Sequence, residues 1–238
     1  IKPLRALSTY QDQNIGVELA KQAKHQLEQL NAGSLVSGLI MLQVVLVTLM
    51  ASNNAAREIA SERLILEREK LGGLSPLAYV GSKVIFLGVF VLAQSLWMGL
   101  FVEMITGGLP GDLVIKLALL VLASAAMTSV CLGISATSRT PEKATILSIY
   151  LVGFQLPLSG AVLTLPDWLE NWVQPLIAAF WSWSGSLTSM RSTAFYDAVK
   201  QVTATDLVAP TIAGFVLFVH VIIGLSMSLV GVQKSQWE

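Results

Sequence analysis

Charge is scarce in this chain and cysteine is almost absent. Lys, Arg, Asp and Glu make up 13% of 238 residues against 54% hydrophobic, and the two signs cancel at 15 each. That balance excludes an ordinary soluble domain, and a net charge of zero exerts no pull on nucleic acid or an acidic substrate. The one cysteine, Cys131, lies in an apolar run, which excludes an intrachain disulfide framework and a cysteine-rich metal site. No Gly-x-x-x-x-Gly-Lys-Ser/Thr occurs, so the chain has no phosphate-cradling loop; no catalytic residue, metal or cofactor is expected in it. No Asp, Glu, Lys or Arg stands at the centre of a long apolar run, which disfavours an ion-coupled carrier or channel.

What is present is the pattern of an all-α, polytopic membrane protein lodged in a lipid bilayer. Residues 1–33 are polar, with Ile15, Leu19, Ala23, Leu27 and Leu30 at helical spacing. They are expected to form an amphipathic helix that closes near Gly33 and lies at the membrane interface or on a neighbouring segment. Residues 34–232 form the transmembrane part, with spans at about 34–51, 84–105, 113–134, 144–165 and 211–232, each near the length needed to cross roughly 30 Å of hydrocarbon. Residues 233–238 are a short tail.

Several positions in the spans admit two readings. Glu103, in the last turn of the second span, is an interfacial acid or a proton relay, and Lys116 is placed to snorkel. Ala125, Ser129 and Gly133 form a small-residue stripe, which serves packing within the chain or a dimer contact. Pro157 predicts a kink in the fourth span. His220 reads as a hydrogen-bonding group between helices rather than a proton carrier. In the loop 166–208, Trp168, Trp172, Trp181 and Trp183 predict a membrane interface, with the short apolar run 176–180 in an amphipathic or re-entrant helix; a carbohydrate-binding aromatic patch is the competing reading.

Lys and Arg are denser in the loops at 53–83 and 137–143 than in those on the other side, which predicts a cytoplasmic location for them and for the C-terminus. The N-terminal segment, the Gly-rich turn at 107–112 and the Trp-rich loop then lie outside, and a further span is expected ahead of Ile1.

Charge clusters in one place, residues 53–83. Both signs alternate along a helix-permissive stretch that ends at Gly72-Gly73 and turns at Ser75-Pro76. Read alone, it is a solvated loop with weak ion pairs. Its Glu62-Arg63, Glu67-Arg68-Glu69, Gly73-Leu74-Ser75-Pro76, Ala78-Tyr79 and Ser82-Lys83, however, resemble the segment between the second and third membrane helices of ABC transporters of the G-subfamily (type V exporter) kind. Ser159-Gly160, the spacing of the later spans and the long outer loop extend the likeness from about Ser34 to the end.

The resemblance implies a six-helix permease half in the plasma (inner) membrane, working as a dimer, with a homodimer expected. It also implies a partner ATP-binding cassette domain, which would hold ATP and Mg. Arg57, Glu58, Glu62, Arg63, Glu67, Arg68, Glu69, Leu74 and Ser75 are implied to couple to that ATPase. Thr48, Met50, Leu158, Ser159, Ala161 and Val162 are implied to line the substrate path. Drug-exporting members carry an aromatic residue in the helix matching 34–51 and a leucine pair where this chain has Ala161-Val162. Neither feature occurs here, so an aliphatic or lipid-like substrate is expected over a flat polycyclic one. A noncatalytic assembly subunit that retains the fold is the alternative.

Overall fold

A computed structural model of the chain describes residues 2–163, 166–203 and 205–234, with side chains from residue 17 onward except at 167 and 194. The tail at 235–238, residues 164–165 of the expected fourth span and the side chain of Ile15 lie outside these described residues. Helices α1 (Lys2–Ala55), α2 (Arg63–Leu71), α3 (Pro76–Thr106), α4 (Leu113–Thr137), α5 (Pro141–Gln155), α6 (Asp167–Val173), α7 (Ala178–Thr188), α8 (Ala194–Val202) and α9 (Pro210–Gln233) account for most of them, and no strand occurs among the described residues. α1, α3, α4 and α9 are each long and apolar enough to cross a membrane.

Local chemistry explains where these helices start and stop. Ser75 caps α3, its hydroxyl accepting from the Ala78 amide with Pro76 in the first turn. Asp112 caps α4, accepting from the amides of Val114 and Ile115, and Thr140 caps α5 ahead of Pro141. Gly107, at φ +72°, closes α3 in the left-handed conformation that costs glycine nothing.

The bundle is built around α4, whose closest partner is α9. The small residues of the two helices mesh there. A Cβ on Gly133 would lie 2.9 Å from the Gly224 carbonyl oxygen, one on Gly224 2.7 Å from that of Ser129, and one on Gly231 2.8 Å from that of Ala136. The small-residue stripe of α4 thus serves packing within the chain, at least from Ser129 to Ala136. α1 and α3 flank this pair, and α7 wedges among α1, α4 and α9.

The structure departs from the sequence reading in five places. First, α1 does not close at Gly33: it continues unbroken through the polar segment and the first span. Gly33 is instead a crossing point, where a Cβ would stand 2.6 Å from the Ala198 carbonyl of α8, and Val199 is fully buried. Leu19 and Leu27, each 60% exposed, are left largely open among the described residues.

Second, α5 stops at Gln155. Pro157 begins a single 3₁₀ turn, Pro157–Ser159, and Gly160 at φ +73° turns the chain, so the fourth expected span ends as a helix ten residues early. Third, the four tryptophans do not share one environment. Trp168 and Trp172 are exposed, but Trp183 is wholly buried on α7, its indole N–H donating to the carbonyl and hydroxyl of Ser37.

Fourth, Lys116 is not a lone cation: its half-buried side chain carries the ammonium 3.2 Å from Glu103 and 2.8 Å from the Leu109 carbonyl, so that the Gly-rich turn is clamped by an ion pair. Glu103 is thus a paired acid beside the turn between α3 and α4. Fifth, His220 bonds to the Val216 carbonyl of its own helix rather than to a neighbour.

Candidate coupling site

At one end of the bundle the segment between α1 and α3 folds back as a 3₁₀ turn, Ala60–Glu62, followed by α2. It is strapped to the ends of two other helices. The amides of Ile59 and Ala60 both donate to the Ser135 hydroxyl of α4, at 3.1 and 3.0 Å. The Arg63 guanidinium donates to the Ala136 carbonyl at the end of α4, and Lys70 Nζ to the Val232 carbonyl at the end of α9, 2.8 Å away. These are the carbonyls a helix leaves without partners, at the end where its dipole is negative, so cations are the natural caps. Leu66 is buried beneath α2, and so is Glu67, 3.4 Å from Lys70.

A second cluster ties the same segment to α3. Lys83 Nζ lies 2.9 Å from Glu58 and 2.7 Å from Glu62, and the Tyr79 hydroxyl donates to Glu62 over 3.1 Å. Tyr79 and Lys83, one turn apart, also stack, with the ammonium 5.6 Å from the ring centroid. Burial and the neighbouring Glu62 carboxylate push the Tyr79 phenol far above its ordinary range. Burial works against the charge on Lys83, but its hydrogen bonds and ion pairs with Glu62 and Glu58 outweigh it and raise the ammonium's pKa. Arg63 is lowered, chiefly by burial.

The other face of α2 is bare. Leu71 is 90% exposed, Leu64 70% and Ile65 59%, flanked by the exposed Arg68 and Glu69. Exposed leucines set among charges on a short helix make a compact apolar patch with a charged rim, the anatomy of a protein-docking surface.

The nine residues expected at a coupling site therefore divide. Glu58, Glu62, Arg63 and Glu67 bond to groups of the protein itself and hold the segment in place. Arg57, Arg68, Glu69 and Ser75 are exposed, and Leu74 packs against the core. Sequence reasoning used Tyr79 and Lys83 only as marks of the resemblance and passed over Lys70, all three of which anchor the segment, and it passed over Leu64, Ile65 and Leu71, which face out. The overlooked signal was three large apolar residues on a nine-residue helix rich in charge, more than one buried face can use.

The second expected group divides as well. Ala161 and Val162 line an open groove with Ser37, Met41 and Val45 of α1 and Leu156. Thr48 and Ser159 are wholly buried and turn to backbone carbonyls, Val45 and Leu156 respectively. Met50 and Leu158 are half-buried and do not line the groove.

Compared with known families, residues 13–195 match the family model described as ABC-2 type transporter, which covers well over half of the chain. No curated protein matches it.

Proposed function

Because the chain belongs to the ABC-2 type transporter family, and is thereby an integral, multi-pass permease component, we propose that it is driven by a separate ATP-binding subunit docking on the exposed face of α2. The observation that carries this reading is the two-sidedness of that helix: Leu64, Ile65 and Leu71 are free on one side, while Arg63 and Lys70 grip the ends of α4 and α9 from the other. A body bound to the free face can move α2 only by moving those two helix ends with it. ATP and Mg reside on the partner, and the α2 end of the bundle is cytoplasmic, in line with the density of Lys and Arg in its loops.

In this reading the transporter is a homodimer that exports by alternating access. Leu35, Leu39, Leu42, Leu46 and Leu49 are all exposed on α1 at alternating four- and three-residue spacing, a seam suited to a second helix. It lies on the helix that forms one wall of the groove at Ala161 and Val162. The groove carries no charged and no aromatic lining residue, which favours an aliphatic or amphipathic, lipid-like substrate over a flat aromatic one.

The experiment is co-purification from the native membrane, followed by ATP turnover in proteoliposomes. Leu71→Asp should weaken capture of the ATP-binding subunit at least about tenfold, since one buried leucine is worth ~1.5–3 kcal/mol and each ~1.4 kcal/mol is a factor of ten. Thermal stability of the permease itself should hold within ~0.5 kcal/mol, because a residue so exposed supports nothing in the fold. Undiminished capture by Leu71→Asp and Leu64→Asp together would show that the partner docks elsewhere or is absent.

A further inference from the structure

α2 turns one arc to the protein and the opposite arc to solvent, and the place of each side chain follows from helical rotation. At 3.6 residues per turn, each step moves a side chain about 100° around the axis. Relative to Arg68, Leu64 and Leu71 lie about 40° and 60° to one side, Ile65 about 60° to the other, and Glu69 about 100° out. Arg63, Leu66 and Lys70 lie about 140–160° away, on the arc that meets α4 and α9. Burial agrees: Leu66 is buried, whereas Leu64, Ile65, Arg68 and Leu71 are all exposed. Arg68 is the midline of the open face, and Glu69 is its edge.

Arg68 also differs from most charges of the segment in having nothing to hold. Arg63 and Lys70 cap helix ends, Glu67 pairs with Lys70, and Glu58 and Glu62 share Lys83. Among the described residues no ion pair reaches the Arg68 guanidinium. Arg57 and Glu69 are likewise without an ion pair there, but Arg57 lies off α2, in the turn before it, and Glu69 stands where water still reaches it when the face is covered.

That placement decides what a partner must offer. A body that covers Leu64, Leu71 and Ile65 also covers Arg68, which lies between them. A guanidinium stripped of water and left without an acceptor is costly, so the covering surface must replace the hydrogen bonds that water gave. A carboxylate does so best, because its two oxygens match the fork of the guanidinium. A bilayer surface fits less well: helices that lie on a membrane keep their cations on the polar face, whereas this one is centred in the apolar face.

We propose that the ATP-binding subunit receives α2 in an apolar cleft with an Asp or Glu carboxylate at its floor, and that Arg68 is the residue that binds this carboxylate. The inference rests on the docking of that subunit on α2 proposed above, and adds the chemistry of the partner's surface. Leu64, Ile65 and Leu71 supply area, while the Arg68–carboxylate pair selects a matching subunit, since a cleft without the acid leaves a buried charge unpaired.

The test is titration of the ATP-binding subunit that co-purifies with the full chain onto that chain in nanodiscs. Arg68→Met keeps apolar contact but strands the carboxylate, and should weaken binding about thirtyfold or more. Arg68→Lys keeps the charge without the fork and should lose less. In Arg68→Lys a zero-length carbodiimide should also join the new amine to one Asp or Glu of the subunit, located by mass spectrometry. Thermal unfolding of the chain should be the same in all variants, because Arg68 is exposed, so a loss of binding is not a loss of fold. If Arg68→Met binds as tightly as wild type while Leu71→Asp does not bind, the carboxylate is refuted and the docking on α2 stands. Absence of a carbodiimide product at residue 68 would refute the carboxylate as well. A subunit that binds both Arg68→Met and Leu71→Asp undiminished, or the absence of any such subunit, would remove the docking and this proposal with it.

Discussion

Replacing Lys83 by Met removes the one cation that holds Glu58 and Glu62 together. The side chains of Lys83 and Glu58 are 13% and 25% exposed, so both carboxylates lose a partner where water restores only part of the interaction. Breaking a fully buried ion pair costs ~3–5 kcal/mol and breaking a surface pair less than ~1. Glu62, at 42% exposure, belongs nearer the second limit and is discounted accordingly. About 2 kcal/mol is the resulting loss for the cluster, which for a chain of this size lowers Tm by about 4–8 °C. Thermal unfolding in detergent measures it, with Lys83→Arg keeping most of the wild-type value. Adding Glu58→Gln to Lys83→Met should recover part of the loss, since one stranded carboxylate is then neutral. The pH dependence has a definite sign. The Lys83 pKa is raised in the folded protein, so its contribution is fully present below the ordinary lysine value of about 10.4 and is lost as pH rises through the folded value. The gap between wild type and Lys83→Met therefore stays constant up to strongly alkaline pH and closes only there. A Tm for Lys83→Met within about 1 °C of wild type at neutral pH would refute the reading of this cluster as structural.

Tyr79 should ionise late: tyrosinate absorbance lost on Tyr79→Phe substitution should belong to a titration lying above the ordinary value of about 10, because burial and Glu62 favour the neutral phenol. A difference titration centred at the ordinary value would contradict the hydrogen bond to Glu62. Gly224→Leu should force α9 off α4, since even its Cβ meets the Ser129 backbone, at a cost of at least ~1–3 kcal/mol in unfolding experiments. Gly88→Leu, with open space in place of a neighbour, should cost far less in the same assay, and equal losses would mean the two glycines are not distinguished by packing.

What could be read from the sequence was whatever is decided within a few residues. The turn read at Ser75-Pro76 is also the capped start of α3, because a side-chain cap and a fixed φ act locally. Gly72-Gly73 ends α2 for the same reason, Gly73 adopting φ +98°. The apolar runs became the long helices because hydrocarbon leaves no other backbone solution. Gly33 misled because a glycine that stops a helix and one that admits a neighbour look alike in sequence; only α8, 165 residues further on at Ala198, tells them apart. Trp183 misled in the same way, since its burial depends on Ser37 of a distant helix.

The charged block was visible as a unit, but its division was not. Alternating signs on a short helix do not say which charges face in, and Arg63 and Lys70 are anchors only because the ends of α4 and α9 arrive beneath them. The fate of the α4 stripe was likewise settled by its partner. Gly224, Ser228 and Gly231 of α9 carry the matching small surface, a repeat legible in the sequence once the two helices are known to be neighbours.

The unbroken course of α1 bears on how motion travels through the molecule. Fifty-four residues make a rod of about 81 Å, of which the hydrocarbon layer takes only about 30. With its one proline, Pro3, confined to the first turn and no helix break along it, such a rod has no hinge at which to dissipate torque. A tilt of about 10° at Gly33 displaces the backbone at Lys2 by about 8 Å, so a small change among packed spans becomes a sweep visible at a distance. Turning about its own axis, the same rod re-aims Leu19 and Leu27 together with Met41 and Val44 as a single body. A spin label near Leu19 would register what happens inside the bilayer without ever entering it.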